Sequence, residues 1–305
     1  MADGSMNLQQ IRALLAVSRS GSISAAARAI GITQPVLTRT VKQLERQLGV
    51  TLLHRSARGA TLTEYGVVLV ARAQRIDQEV RRSREEIEQM RGSKGGLVSI
   101  ACSPVPMMLF MPKAIGLFRR TFPRVEIRIA EAVYPQVMQA FQESRLDFGV
   151  GPVPTQGLGR NFKVEKLLSV ELVAVVKRGH RSAGAVSLAA LQDEEWIVMG
   201  PHGGPGAIVA PIFQQQGLSA PLCVMYVEPG TAALEMIKHT NLVGFVPRPI
   251  ALAAKHELQI IPVKEKIEPL TISIFMDKQS LLTPASQALV SAIRSVSASW
   301  NRTRH

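Results

Sequence analysis

The sequence predicts an α/β chain: a mainly helical N-terminal head, one long connecting helix, and a C-terminal part of open sheets with helices on both faces. Three observations predict it. Between Leu8 and Leu62, glycines and capping residues divide short amphipathic stripes, and the segment ends in a polar hairpin. From Thr63 to about Arg91 there is no proline, and Gly66 is the only glycine. After Gly92-Ser93-Lys94-Gly95-Gly96, short apolar runs alternate with helix-like stretches.

Met1–Ser5, ahead of a second methionine at Met6, is set aside from the fold. Leu8, Ile11, Leu14, Leu15 and Val17 suit a first helix, which Gly21 ends. Ser22 or Ser24 can cap a second, alanine-rich helix through Ile30. Gly31 breaks the chain, and Thr33 is a good N-cap for a third helix, with Pro35 tolerated in its first turn. Leu37, Val41, Leu44 and Leu48 give that helix one buried stripe; its other face carries Gln34, Thr38, Arg39, Lys42, Gln43 and Arg46, and Gly49 closes it. The run Thr51–Leu62 has two short apolar pieces around a polar turn bearing Arg55, Arg58 and Gly59, and reads as a wing-type β-hairpin. In the long helix, Tyr65, Leu69, Ala73, Ile76, Val80, Ser83, Ile87 and Met90 recur close to a heptad seam. Such a helix is roughly 40 Å long, and its densely charged outer faces leave the seam for a partner, which implies a dimer.

Gly92–Gly96 reads as a hinge. Beyond it, strands are expected at Leu97–Ala101, Val125–Ala130, Phe148–Val150, Leu172–Val176, Trp196–Met199, Leu222–Val227, Leu242–Val246 and Ile272–Phe275. Helices are expected at Met107–Phe118, Pro135–Glu143, Gly206–Gln216, Thr231–Lys238 and Ser286–Ser297. Alternation of this kind builds open sheets that bind ligands at the carboxyl ends of their strands.

Composition narrows the function. The 305 residues allow two domains, 46% are apolar and 19% charged, so a buried core is expected rather than disorder. No apolar run reaches the roughly 18–20 residues of a membrane span, and Arg12 and Arg19 break up the stretch a secretion signal would need. Cys102 and Cys223 are isolated, without metal-ligand spacing. A cytoplasmic protein with no membrane partner, no metal and no cofactor is expected. The net charge is +13 and the pI about 10.3. Residues 1–62 hold eight basic and two acidic side chains, so nearly half the excess charge sits in a fifth of the chain. That favours a polyanionic partner. A short helix, a glycine turn and a polar-faced helix form a helix–turn–helix candidate whose second helix can enter a DNA major groove.

The runs Ser24-Ala25-Ala26-Ala27-Arg28-Ala29-Ile30-Gly31-Ile32-Thr33-Gln34-Pro35-Val36-Leu37-Thr38-Arg39, Gln43-Leu44-Glu45-Arg46-Gln47-Leu48-Gly49-Val50-Thr51-Leu52-Leu53-His54-Arg55 and Arg58-Gly59-Ala60-Thr61-Leu62-Thr63-Glu64-Tyr65-Gly66 resemble the signature of LysR-type transcriptional regulators. The resemblance implies a bacterial regulator of promoter or operator DNA, usually a homotetramer assembled from dimers through the linker helices. It implies a winged helix-turn-helix over 6–63, a linker helix over 64–91, a hinge over 92–96, and an effector domain over 97–302 resembling a two-lobed periplasmic-binding-protein fold. Lobe one would be 97–162 plus 270–300 and lobe two 163–269, with a small-molecule inducer between them. By position, Thr33, Gln34, Pro35, Thr38, Arg39 and Lys42 would face DNA, and Arg55 and Arg58 would reach phosphate or minor groove from the wing.

For the effector, Ser103 and Pro104 follow the first strand of the domain and suit an anionic or polar group, with an organic anion as the candidate class. Glu131 and Ala132 end the second strand, Gly151 and Pro152 the third. His202 and Gly203 belong to a glycine-rich loop, and Glu228 and Pro247 complete the rim. Each of these loops reads equally as an ordinary strand-to-helix connection. Two positions depart from the family: Ala207-Ile208-Val209 stands where many members carry an arginine, and Thr240-Asn241-Leu242 where many carry Gly-x-Gly. No nucleophile elbow, Walker loop, metal motif or dinucleotide fingerprint is present, so an enzyme is not expected. An effector-gated regulator is the leading expectation, and a constitutive DNA-binding repressor without a ligand is the alternative.

Overall fold

A computed structural model describes residues 5–56, 59–131, 136–142, 145–154, 157–199, 207–228 and 230–302. The chain divides into two compact units, the first running through Glu88 and the second beginning at Gln89.

The first unit opens with helices α1 (Leu8–Ser20), α2 (Ile23–Ala29) and α3 (Gln34–Leu48), the hairpin strands β1 (Leu53–Ser56) and β2 (Gly59–Leu62), and the long helix α4 (Glu64–Met90). Local chemistry sets the boundaries. Asn7 and Gln10 form a reciprocal capping box on α1. Ser22 caps α2 through its side chain, whereas Thr33 opens α3 without a side-chain cap hydrogen bond. Gly21 and Gly49 end α1 and α3 in the left-handed region, at φ 62° and 69°, which glycine adopts without strain. Leu14, Leu37, Leu44 and Leu52 are fully buried in one core with Val17, Ala26, Val41, Leu53 and Ala60. The hairpin docks on α1, where the Ala60 amide donates to the Gly21 carbonyl (2.9 Å). Gly66 is required by contact: a Cβ there would lie 2.2 Å from the Leu52 carbonyl oxygen.

The second unit continues with β3 (Gly95–Cys102), α5 (Pro104–Leu109), α6 (Met111–Thr121), β4 (Arg124–Glu131), α7 (Gln136–Gln142), β5 (Phe148–Pro152), β6 (Phe162–Val170), β7 (Leu172–Lys177), β8 (Trp196–Met199), α8 (Val209–Gln215), β9 (Cys223–Val227), α9 (Gly230–His239), β10 (Gly244–Pro247), α10 (Arg248–Ala253), β11 (Leu258–Ile260), β12 (Leu270–Asp277) and α11 (Pro284–Arg302).

Two lobes result. One is the five-stranded sheet β4-β3-β5-β12-β6, with β3 parallel to β4 and β5, and β12 antiparallel to β5 and β6. Successive side chains leave a strand on opposite faces. Val98, Ile100 and Cys102 therefore join the core under α6 and α11, while Ala101 joins Val137, Phe141 and Phe275 on the other face. The other lobe has the sheets β10-β7-β11 and β8-β9, bridged by Trp196 and Val243. Val173 and Val175 pack toward α9 and α10; Ala174 and Val176 pack toward Trp196 and α8.

Several expectations need correction. Lobe one does not end at residue 162: β6 pairs along its whole length with β12, so the crossover comes after Val170. Gly95 and Gly96 belong to β3 rather than to a hinge. The helix expected over Met107–Phe118 is two helices, because Phe110 leaves helical geometry and Pro112 sits in the first turn of a new one. Strands β6 and β11 and helix α10 were not expected from the sequence.

Candidate nucleic-acid interface and ligand site

Helix α3 sorts its residues by period. Leu37, Val41 and Leu44 go into the core, and Thr33, Gln34, Pro35, Arg39 and Lys42 remain exposed, with Thr38 half-buried beside them. Neither Arg39 nor Lys42 has a carboxylate partner among the described residues. Gln34 is held at one end, since the Ser24 hydroxyl donates to its Oε1 (2.8 Å). The exposed face thus carries two free cations, an amide and a hydroxyl, the groups that bond phosphates and base edges. Elsewhere in the unit, Arg12 is paired with Asp77 (2.7 Å).

The hairpin is in the register Leu53↔Leu62 to Ser56↔Gly59, with Arg55 opposite Ala60 and exposed. Arg58, expected at the tip, lies outside the described residues. The sequence reading missed Glu45. Its Oε1 accepts from the Leu52 and Leu53 amides (2.9 and 3.2 Å), and its Oε2 lies 3.4 Å from Arg55 Nη2. Nothing in the local pattern signals this, because the partners are seven to ten residues away and on another element. The notch between the end of α3 and the hairpin is lined by Lys42, Glu45, Arg46, Gly49, Val50 and Thr51.

In the second unit, Ser103 stands at the carboxyl end of β3. Its amide donates to the Val150 carbonyl (2.9 Å), while its hydroxyl is buried with no hydrogen-bond partner among the described residues. A buried hydroxyl without a partner is costly and calls for an explanation. Gly151 lies against it: a Cβ at Gly151 would sit 2.9 Å from Ser103 Oγ. Pro104 opens α5, which packs on β5 and on α10. Pro247, the N-cap of α10, comes from the other lobe, and the Arg248 amide secures it by donating to Glu171 O (2.8 Å) at the crossover between β6 and β7. Ser103, Pro104, Gly151 and Pro152 are therefore neighbours, and the α5–α10 packing brings Pro247's helix to them. Glu131 is exposed at the end of β4, in register with Cys102, and Glu228 is exposed just past β9. Neither is brought to Ser103 by a described contact. Ala132, His202 and Gly203 lie outside the described residues.

Burial drives the Cys102 thiol far above its ordinary range, and the charge of Glu131 adds to the effect. Cys102 is therefore a neutral, buried thiol rather than a thiolate nucleophile. His180 is buried. Its Nδ1 accepts from the Ser182 amide (3.1 Å), so its Nε2 carries the proton and donates to Asn241 O (3.0 Å). Both departures from the family pattern have structural uses: Val209 is a core residue, and the Thr240 hydroxyl donates to Met236 O (2.7 Å) and accepts from the amide of the buried Leu242 (3.3 Å).

Residues 8–67 match the family described as bacterial regulatory helix-turn-helix protein, lysR family, and residues 91–298 match the LysR substrate binding domain. The HTH-type transcriptional regulator TdcA of Escherichia coli (strain K12) is 30% identical over 203 residues, 67% of this chain and 65% of that protein. The chain thus spans just under two thirds of the length of this curated relative. Among solved structures, CbnR, a LysR family transcriptional regulator, is similar at TM-score 0.69 and 22% identity, covering 96% of this chain and 99% of that one. Full-length CbnR complexed with its target DNA is similar at TM-score 0.54 and 23% identity, over 96% and 100% of the two chains. At these identities the two structures establish the fold.

Proposed function

The chain belongs to the LysR family of helix–turn–helix transcriptional regulators, and from that premise we propose that it binds promoter DNA through α3 and the β1–β2 hairpin, under the control of a small molecule held beside Ser103. The observation that carries the DNA reading is the outer face of α3, where Thr33, Gln34, Pro35, Thr38, Arg39 and Lys42 lie together and the two cations have no carboxylate partner among the described residues. A major groove admits one helix, and such a face supplies donors for phosphates and base edges.

The ligand reading is supported by the Ser103 hydroxyl at the strand ends, buried and without a partner among the described residues, against a glycine whose missing side chain makes room for it. A small organic anion suits a hydroxyl donor in that position. To regulate, it must bind one arrangement of the protein better than another. The apolar seam of α4 supports a homodimer, and a homotetramer working in the cytoplasm follows the family.

The test is a duplex enriched by the full-length chain from a random-sequence pool, titrated with and without carboxylates, sulfonates, sugar acids and amino acids. One class is expected to change the affinity and to raise the melting temperature. At 100 times its Kd a ligand adds about 2.7 kcal/mol, and Ser103→Ala should reduce that gain. Enrichment with no response to any compound would favour constitutive binding, and no enrichment would overturn the DNA reading.

A further inference from the structure

We infer that Glu45 is a positioning residue for DNA binding: it ties the start of the hairpin to α3 and holds the Arg55 guanidinium in the orientation from which it clamps a phosphate. The inference rests on the reading of the head as a DNA-binding unit.

Glu45 is the only carboxylate of residues 6–62, in a unit otherwise rich in arginine and lysine. By charge alone it is misplaced, because a carboxylate on the DNA-facing unit repels phosphate. Its bonding explains its place. One oxygen takes the amides of Leu52 and Leu53, fixing the chain where it turns from Gly49 into β1. The other faces Arg55 Nη2, two residues further along the hairpin. The carboxylate is mostly buried, with 15% of its side-chain surface accessible, so water competes little for it. Arg55 has five donors in a planar fork. The pair occupies one of them at 3.4 Å and leaves the others for an anion. A guanidinium already oriented loses less freedom when it binds a phosphate. Glu45 thereby couples the register of the wing to the recognition helix that carries it.

The sign of one substitution separates this from simple charge. In Glu45→Gln the side-chain carbonyl can still accept from Leu52 and Leu53, but the charge that holds Arg55 is gone. Charge counting gives tighter binding to DNA; the positioning role gives weaker binding. The experiment uses the full-length chain and a fluorescent duplex enriched from a random-sequence pool by the wild type. E45Q and Arg55→Ala are each expected to bind about tenfold more weakly, and the double variant no more weakly than R55A alone. Unchanged or tighter binding by E45Q, or a loss that persists in the R55A background, would overturn the inference. Where E45Q melts too early to be assayed, Arg55→Lys decides. It keeps the charge without the fork and is expected to bind as weakly as R55A, and wild-type affinity would overturn the role. A wild-type chain that enriches no duplex defeats the DNA reading itself, whereas enrichment with an indifferent E45Q defeats only the inference.

Discussion

Arg39 stands on the outer face of α3, one position past a half-buried threonine and two past the fully buried Leu37. An arginine so placed contributes through base edges or phosphates and not through the core. Arg39→Ala is expected to weaken binding to a selected duplex by about ten- to a hundredfold and to lower the salt slope by about one unit, as anisotropy titrations at several salt concentrations would read. The sedimentation profile should not change, and an unaltered footprint would count against the assignment. Acid sensitivity is also decided residue by residue. Arg294 donates to both Glu165 oxygens (2.8 and 2.6 Å), joining β6 to α11, and its hydrogen bonds hold the carboxyl below the ordinary glutamate value of 4.5. Glu194 is lowered in the same way by Arg181. A carboxyl with a depressed folded-state pKa stabilises fully above its unfolded value, and the contribution is lost as pH falls through the folded one. The melting temperature should therefore drop as pH is taken below 4.5, and less steeply in Arg294→Ala; equal slopes in circular-dichroism melts would refute the link. Of the site residues, those on α3 were legible because burial there follows a 3.6-residue period. The orphaned Ser103 hydroxyl and the Glu45–Arg55 pair were not, because both depend on neighbours from other elements.

Helix α4 contains a single glycine, and its place in the first turn gives an unusual sign. Glycine in an exposed helix is normally improved by alanine, by up to about 1 kcal/mol. At Gly66 a methyl would meet the Leu52 carbonyl backbone, so Gly66→Ala is expected to destabilise the head by about 1–3 kcal/mol, as urea melts would show. A more stable variant would mean that the contact relaxes freely. The elements of the head were readable almost to the residue because caps, glycine stops and apolar stripes are local signals. The second unit was less so. Strand β6 reads Phe-Lys-Val-Glu-Lys-Leu-Leu-Ser-Val, and its charged first half marks the exposed edge of the sheet. That alternation lacks the continuous apolar run by which the buried strands were recognised. Its partner β12 lies a hundred residues away, and only that pairing assigns it to lobe one and moves the lobe boundary past Val170. The break between α5 and α6 had a signal in Pro112, which starts a helix more readily than it continues one.

At the scale of the molecule, α4 leaves apolar side chains uncovered within one chain: Tyr65, Ile76, Ile87 and Met90 are exposed along the expected seam. Ile76→Asp with Val80→Asp is expected to convert the assembly to smaller species in sedimentation velocity, while each unit keeps its fold. A profile identical to wild type would refute the seam. Paired chains carry paired heads, and paired recognition helices read half-sites related by a two-fold axis and separated by about 10–10.5 base pairs or a multiple of it. The most direct measurement is therefore selection of duplexes from a random pool by the full-length chain, followed by sequencing. The expected result is an inverted repeat whose enrichment disappears in Arg39→Ala. Failure of the wild-type chain to enrich any sequence, or the same repeat enriched equally by Arg39→Ala, would contradict it.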